Sequence, residues 1–512
     1  MNGAGEWPTR DLLSHRASTT PNATAVIDAD TDEEWTFGEF DRKVDAVTER
    51  LENVVYGPDD RLGVLMETRV AFATVYFAAM RRGVTVVPLN VRETAAELES
   101  KASRTAIDAI VCESETEALA LEIATRPVVS VDDPEHDDVT SIRPVAEADA
   151  IPTPLERDRT HLLMFTSGTS GEPKVVRLTV GNLVASAAAS AYRLGVDPDD
   201  RWLCCLPMYH MGGLAPVVRS TLYGTTAVIQ RRFDPRETAR VIETDDITGV
   251  SLVPTMCKRL LDAGWTPPDA LRFVLLGGAP ASQELIERCR ERGVPVHPTY
   301  GMTETASQIA TARPADAFSH PGTVGQPLGC TDVSIVDEDG TTVDAGETGE
   351  FVISGPTVTP GYLDDEETEA SFGDRGLHTG DIGYRDSAGR LWILNRRSDR
   401  IVTGGENVDP GEVIEALRSH PRVENAAVVG LADEEWGERV AALVVPVSET
   451  CSDADLDAGL LLAHCDDRLA GFKQPKTIGF ADELPRTASG TVDREAVRER
   501  LRRSGTDVTE ST

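Results

Sequence analysis

The chain has 512 residues, more than one hydrophobic core usually organises, so at least two domains are expected. Its 40% apolar residues suit a packed globular protein, and its net charge of −36 argues against a nucleic-acid partner, which requires a basic surface. Because no apolar run reaches about 18 residues, neither a transmembrane helix nor stable membrane insertion is expected.

The first part of the chain alternates helical and strand patterns. Residues 36–51 and 70–82 have the apolar spacing of helices, and residues 61–66 and 84–89 read as strands. The alternation continues with a helix at 180–193 and with strands at 107–112, 127–131, 227–229, 249–253 and 273–276. This pattern predicts a large α/β domain with parallel sheets.

From about Gly322 the pattern changes to short β-runs, which predict a small β-subdomain. After the compact charged segment 397–400, a separate α+β domain is predicted, with helices at 410–419 and 454–468 and strands at 423–430, 441–446 and 477–480. We therefore divide the chain into an N-terminal domain (1–395), a hinge (396–400), a mobile C-terminal domain (401–503) and a disordered polar tail (504–512).

Acidic residues dominate the predicted surface, since only six of the 50 basic residues are lysine. This composition resembles that of halophilic proteins from salt-saturated cytoplasm, where carboxylates hold water and salt screens their repulsion. The eight cysteines form no Cys-x-x-Cys pair, and the first residues have neither a basic nor an apolar leader. A reducing, cytoplasmic location is therefore expected.

The segment Thr166-Ser-Gly-Thr-Ser-Gly-Glu-Pro-Lys174 offers hydroxyl donors, backbone N–H groups and one cation between two short apolar strands. These groups suit polyphosphate, although the glycine and lysine spacing is not that of a P-loop. A flexible polar turn is the alternative, since Ser, Thr and Gly are ordinary turn residues. The candidate phosphate-binding residues are Thr166, Ser167, Gly168, Thr169, Ser170, Gly171 and Lys174.

Four further motifs follow in order: Tyr300-Gly-Met-Thr-Glu-Thr305, His378-Thr-Gly-Asp381, Asn395-Arg-Arg-Ser-Asp-Arg-Ile401 and Pro485-Arg-Thr-Ala-Ser-Gly490. With the loop above they resemble the adenylate-forming (ANL) superfamily of acyl-CoA synthetases, adenylation domains and luciferases. The resemblance covers nearly the whole chain.

Three details resemble the o-succinylbenzoate–CoA ligases of menaquinone biosynthesis within that superfamily. They are the Ser-Gln-Ile309 extension of the Tyr300 motif, Ser398 in the hinge motif, and Leu206-Pro-Met-Tyr-His-Met-Gly-Gly-Leu214. Other acyl-CoA ligases share parts of each detail, so a ligase for another aryl or acyl carboxylic acid is the alternative.

The resemblance implies a two-step reaction. A carboxylate attacks the α-phosphorus of ATP to give an acyl-adenylate and pyrophosphate, and coenzyme A then displaces AMP. It implies Mg²⁺ on Glu304 and Thr166, adenine stacking on Tyr300, and ribose or phosphate contacts from Asp381 and Arg396. The other implied nucleotide or coenzyme A contacts are Gly277, Gly278, Ala279, Thr299, Gly301, Met302, Thr303, Gly404 and Gly405.

Two further residues are assigned to the acid-binding part of the site. By resemblance His210 lies between the acid and the coenzyme A thiol, although a lone histidine is often structural. A dicarboxylate needs a cation for its unreactive carboxylate, and Arg219 is the candidate. A surface ion pair would explain Arg219 equally well.

The chain departs from the family pattern at its last motif, where Thr491 stands in place of the lysine that serves adenylation. Lys473, Lys476 or Arg494 are candidates to supply the missing charge. A pseudoenzyme that only binds nucleotide is therefore a hypothesis of a different class. A homodimer is also left open.

Overall fold

The computed structural model describes residues 10–55, 57–123, 127–143, 150, 153–166, 173–396, 401–403, 406–408, 410–433, 436–447, 456–466, 468–487 and 492–508. Three β-sheets organise these residues, two in the N-terminal domain and one in the C-terminal domain. The α/β class and the two-domain division of the fold are thus those that the sequence predicts.

The first sheet has seven strands, and all its neighbouring pairs are parallel except the last. Its strands in spatial order are Thr140–Ser141, Val128–Ser130, Ala109–Cys112, Arg61–Leu65, Thr85–Pro88, Thr160–Phe165 and Val175–Thr179. The antiparallel pair Thr160–Phe165 and Val175–Thr179 flanks the predicted phosphate loop, so this loop joins strand to strand as predicted.

The second sheet is parallel in one half and antiparallel in the other. Its parallel strands in spatial order are Val296–Tyr300, Phe273–Leu276, Gly249–Leu252, Arg201–Cys204, Thr226–Ile229 and Thr24–Asp28, with Glu33–Thr36 antiparallel at the edge. The antiparallel half forms the predicted β-subdomain, with strands Ala310–Thr311, Thr323–Pro327, Leu391–Arg396, Gly376–Arg385, Phe372–Gly373, Thr348–Ser354 and Asp332–Val336.

Helices cover these sheets, and local sequence explains several of their ends. Thr36 and Glu39 form a capping box at the start of Phe37–Leu51. Val70–Arg82 ends where Gly83 takes a left-handed φ of +70°. The other N-terminal-domain helices are Leu12–Thr19, Ala95–Arg104, Glu117–Ile123, Val180–Leu194, Met211–Tyr223, Pro235–Thr244, Pro254–Asp262, Gln283–Glu291, Pro314–Ser319 and Asp365–Ser371.

The C-terminal domain has its own sheet and core. Its strands are Ile401–Thr403, Glu406–Val408, Val423–Asp433, Gly437–Pro446, Thr477–Phe480 and Thr506–Asp507, and its helices are Pro410–Arg418, Ala458–Asp466 and Arg494–Ser504. Between the two domains the chain passes through residues 397–400. Of the predicted hinge at 396–400, Arg396 is described, and residues 397–400, with Ser398, lie outside the described residues.

The prediction of a disordered tail over 504–512 is wrong at its start. Thr506–Asp507 pairs antiparallel with Thr477–Phe480, and the Val508 N–H donates to the Lys476 carbonyl at 2.9 Å. The edge of the sheet supplies backbone hydrogen-bond partners for these residues. The polar composition of the tail gives no indication of this pairing. Residues 509–512 lie outside the described part of the chain.

In the described ranges, no helix combines the length and apolar character that crossing a bilayer requires.

Candidate active site

A cavity of about 1450 Å³ opens at the carboxyl ends of the parallel strands of the second sheet. Loops at this edge of an α/β sheet are where ligands usually bind. We call one part the Lys174 end, lined by Thr166, Lys174, Glu304, Tyr362 and Ser371. We call the other part the Arg219 end, lined by His210, Gly213, Arg219, Ser307 and Gln308.

Lys174 reaches the cavity from the start of strand Val175–Thr179. Its Nζ donates to the Ser371 Oγ at 2.8 Å and lies 4.6 Å from the ring centroid of Tyr362. Its backbone N–H donates to the Thr166 Oγ1 at 3.1 Å, which closes the base of the predicted phosphate loop. The residues between them, Ser167, Gly168, Thr169, Ser170 and Gly171, lie outside the described residues.

Glu304 is a buried carboxylate on the short turn Thr303–Thr305 and is only 6% exposed. Its Oε1 accepts a hydrogen bond from the Tyr362 hydroxyl at 3.0 Å, and burial raises the pKa of its carboxyl group. Glu304 forms no ion pair with a described residue. Glu304 and Thr166 both line the cavity, and a carboxylate and a hydroxyl group are oxygen donors that suit Mg²⁺.

Tyr300, Asp381 and Arg396 form a connected group beside the Lys174 end. The Tyr300 hydroxyl donates to Asp381 Oδ2 at 2.5 Å, and Arg396 Nε donates to Oδ1 at 3.0 Å. Burial raises the pKa of both Tyr300 and Asp381. Each carboxylate oxygen of Asp381 keeps acceptor capacity, so the group can hold a vicinal diol such as a ribose.

Close packing against the protein requires glycine at two positions that line the cavity. A Cβ on Gly277 would lie 2.7 Å from the Thr299 Cγ2, and one on Gly301 would lie 1.6 Å from the Ser307 carbonyl oxygen. Of the other predicted contacts, Gly278, Met302 and Thr303 also line the cavity, whereas Ala279 lies beside it. Gly404 and Gly405 fall outside the described residues.

His210 occupies the N-cap position of helix Met211–Tyr223. Burial lowers the pKa of its imidazole to about 4, so the ring is neutral at pH 7. Its Nε2 is buried and has no hydrogen-bond partner among the described residues. His210 therefore offers the cavity a neutral hydrogen-bonding group and not a charge.

Arg219 lies on the same helix and is 2% exposed. One terminal nitrogen lies 3.4 Å from the Ser186 Oγ, and the guanidinium carbon lies 5.5 Å from the Trp202 ring centroid. Nε lacks any hydrogen-bond partner in the described chain, where no carboxylate lies within 4 Å of the guanidinium. The alternative that Arg219 forms a surface ion pair is thus wrong, and the residue is a buried cation without an anion.

Tyr362 and Ser371 line the cavity but were not predicted as site residues. Tyr362 contacts both Glu304 and Lys174, and Ser371 accepts from Lys174. Tyr362 is 58 residues from Glu304 in the chain, and no local pattern connects them. Only the tertiary fold reveals their role.

The candidates for the missing lysine charge lie elsewhere. Lys473 pairs with Glu412, with 2.6 Å between Nζ and Oε2, and the Lys476 Nζ lies 3.6 Å from the Trp436 ring centroid. Neither lines the cavity. Arg494 begins the helix Arg494–Ser504, and Thr491 lies outside the described residues.

Comparison with known proteins agrees with this geometry. The AMP-binding enzyme family model matches residues 13–363, and the AMP-binding enzyme C-terminal domain model matches residues 412–491. A 2-succinylbenzoate–CoA ligase of Bacillus mycoides (strain KBAB4) is 37% identical over 489 residues, which are 95% of this chain and 97% of the relative.

Two solved structures of the o-succinylbenzoate CoA synthetase of Bacillus subtilis are similar throughout. The complex with the acyl-adenylate intermediate has a TM-score of 0.87 at 35% identity and covers 96% of this chain and 98% of that one. The complex with ATP and magnesium ion has a TM-score of 0.86 at 35% identity and covers 96% and 99%. With its three sheets, its cavity and these matches, the chain belongs to the AMP-binding enzyme family.

Proposed function

We propose that the protein is an ATP-dependent acid–CoA ligase that converts 2-succinylbenzoate to 2-succinylbenzoyl-CoA, with release of AMP and pyrophosphate. The observation that carries the substrate is Arg219. A buried cation without an anion is costly, and a second carboxylate on the substrate would neutralise it. The full-length similarity to 2-succinylbenzoate–CoA ligases supports the same acid.

In the adenylation step, the Lys174 end holds the triphosphate. Lys174 keeps its Ser371 contact and donates its other N–H groups to phosphate oxygens, and Asp381 accepts from the ribose hydroxyls. Glu304 and Thr166 are the residues that would hold Mg²⁺, which offsets phosphate charge when bound. The reacting carboxylate then lies between Arg219 and Lys174, close to the α-phosphorus.

In the thioester step, the coenzyme A thiol enters beside His210. Because its imidazole is neutral, Nε2 can accept a hydrogen bond from the thiol and orient it without adding charge. Arg92 and Arg259 also line the cavity, and neither has a carboxylate within 4 Å among the described residues. In a chain of net charge −36 these two arginines suit the phosphates of coenzyme A.

We also propose a metabolic and cellular setting for the reaction. We place the reaction in menaquinone biosynthesis, in the cytoplasm of a halophilic cell, and the acidic, lysine-poor composition supports high salt as the working condition. The domain limits 1–395, 396–400 and 401–503 stay predictions. A homodimer also stays a prediction, which light scattering in concentrated potassium chloride tests.

Pyrophosphate release across a panel of acids, with and without coenzyme A in concentrated potassium chloride, tests the proposal. We expect the highest kcat/KM with 2-succinylbenzoate and thioester formation only when coenzyme A is present. A preference for a monocarboxylic acid would instead support a ligase for another acid. No pyrophosphate with any acid would support the pseudoenzyme.

A further inference from the structure

Tyr362 lies between the two charged groups of the Lys174 end. Its side chain is buried, with 3% exposure. Its hydroxyl donates to the Glu304 Oε1 at 3.0 Å, and its ring centroid lies 4.6 Å from the Lys174 Nζ. One side chain therefore contacts both the candidate metal ligand and the candidate phosphate ligand.

The backbone fixes Tyr362 to the strand that carries Lys174. Tyr362 forms a β-bridge with Val176, and the Leu363 N–H donates to the Val175 carbonyl at 2.8 Å. The Arg177 N–H donates to the Gly361 carbonyl at 3.1 Å. Lys174 and Tyr362 thus belong to one hydrogen-bonded unit, so their relative position does not depend on a bound ligand.

This arrangement avoids a direct pairing of opposite charges. A lysine and a glutamate that share a cavity attract each other, and a direct ion pair would use the oxygen and the ammonium that ATP and its metal need. Glu304 receives a neutral phenol hydrogen bond, and Lys174 receives a ring face and the Ser371 hydroxyl. Both charged groups therefore have favourable contacts in the ligand-free site, and both remain able to bind ATP and its metal.

We propose that Tyr362 is a positioning residue that prevents a direct ion pair between Glu304 and Lys174 and orients both toward the cavity, so that the site is preorganised for metal-bound ATP. This inference rests on the proposed function for its ligand. It assigns separate tasks to the two parts of the side chain: the hydroxyl orients the metal ligand, and the ring holds the lysine.

Two variants separate these tasks. Tyr362→Phe keeps the ring and removes the hydroxyl, and we expect the Mg²⁺ concentration for half-maximal adenylation to rise about tenfold, with the KM for ATP unchanged at saturating Mg²⁺. Tyr362→Leu removes both parts, and we expect weaker binding of a non-hydrolysable ATP analogue by calorimetry, even in the presence of a chelator.

Tyr384→Phe is the matched control, because Tyr384 stacks on Trp392 in the β-subdomain and does not line the cavity. Ser371→Ala should weaken analogue binding without moving the Mg²⁺ dependence, and it tests the lysine side if Tyr362→Leu does not fold. The Mg²⁺ dependence of Tyr362→Phe is also measured by calorimetry of analogue binding, where the same rise is expected. An unchanged Mg²⁺ dependence of analogue binding would overturn the proposal. Because calorimetry uses no acid, this outcome is distinct from a failure of the proposed ligase activity.

Discussion

The two ends of the cavity treat charge differently. At the Lys174 end, each described charged group has a neighbour: Lys174 has Ser371 and Tyr362, Asp381 has Arg396, and Glu304 has the Tyr362 hydroxyl. At the Arg219 end, the buried Arg219 guanidinium has no carboxylate within 4 Å among the described residues, and the imidazole of His210 is neutral. Under the proposed function, ATP binds where the charged groups already have partners, whereas the acid supplies the partner that Arg219 lacks among the described residues.

The largest expected effect comes from removing the unpaired charge. Arg219→Met should lower kcat/KM for 2-succinylbenzoate about a thousandfold, on the order of 4 kcal/mol, because the second carboxylate would be buried without a cation. It should also raise the melting temperature of the ligand-free protein, since it removes an uncompensated buried charge. Steady-state kinetics and thermal unfolding measure the two effects.

Arg193→Met is the control, because Arg193 bonds to backbone carbonyls of Gln326 and Pro327 outside the cavity. A monocarboxylic acid should react equally well with the wild type and with Arg219→Met. If Arg219→Met lowers kcat/KM for both acids by the same factor, Arg219 does not bind the second carboxylate.

The neutral histidine makes the Arg219 end sensitive to acid. The folded pKa of His210 is about 4, below its ordinary value, so between pH 6.5 and pH 4 the unfolded state binds more protons. The free energy of unfolding should therefore fall as pH falls through this window, by about 3 kcal/mol from this residue at pH 4.

His210→Gln should remove that contribution in urea unfolding compared at pH 7 and pH 4. The matched control is the exposed His15, whose replacement by Gln should leave the acid dependence as it is in the wild type. Equal acid dependence in the wild type and His210→Gln would show that the ring is already protonated in the folded state.

At the Lys174 end, we expect Lys174→Ala and Glu304→Ala each to slow adenylation about a hundredfold, roughly 2.7 kcal/mol of charge stabilisation in the transition state. ATP–pyrophosphate exchange measures this loss. Lys43→Ala is the control, since Lys43 lies outside this cavity. Exchange near the wild-type rate in both variants would refute the assignment of this end to ATP.

The smallest effect concerns the missing lysine. Thr491→Lys should raise the adenylation rate about tenfold, about 1.4 kcal/mol, by adding a cation near the α-phosphate. Because Lys473 pairs with Glu412 and Lys476 stacks on Trp436, replacing either by alanine should leave the single-turnover rate unchanged. A large loss in Lys473→Ala or Lys476→Ala would instead identify the compensating charge.

Local pattern predicted most elements, because apolar spacing and end signals act over a few residues. Helix Val70–Arg82 and strand Phe273–Leu276 have the predicted bounds. Helix Met211–Tyr223 was missed, since Gly212, Gly213 and Pro216 are poor helix formers. A Cβ on Gly213 would lie 2.2 Å from the Pro207 carbonyl oxygen, so close packing requires glycine there against local propensity.

Residue type and spacing alone were sufficient to predict the order of the motifs and the alternation of helices and strands, whereas phosphate binding by the loop at 166–174 stays a prediction. Two features emerge only from the tertiary structure: Arg219 is buried with no carboxylate within 4 Å among the described residues, and Tyr362 lies between Lys174 and Glu304. Burial and pairing depend on segments far apart in the chain, such as Ser186 beside Arg219 and strand Val175–Thr179 beside Tyr362. The electrostatic free energy of a charged side chain depends on the groups around it in space and not on its neighbours in sequence.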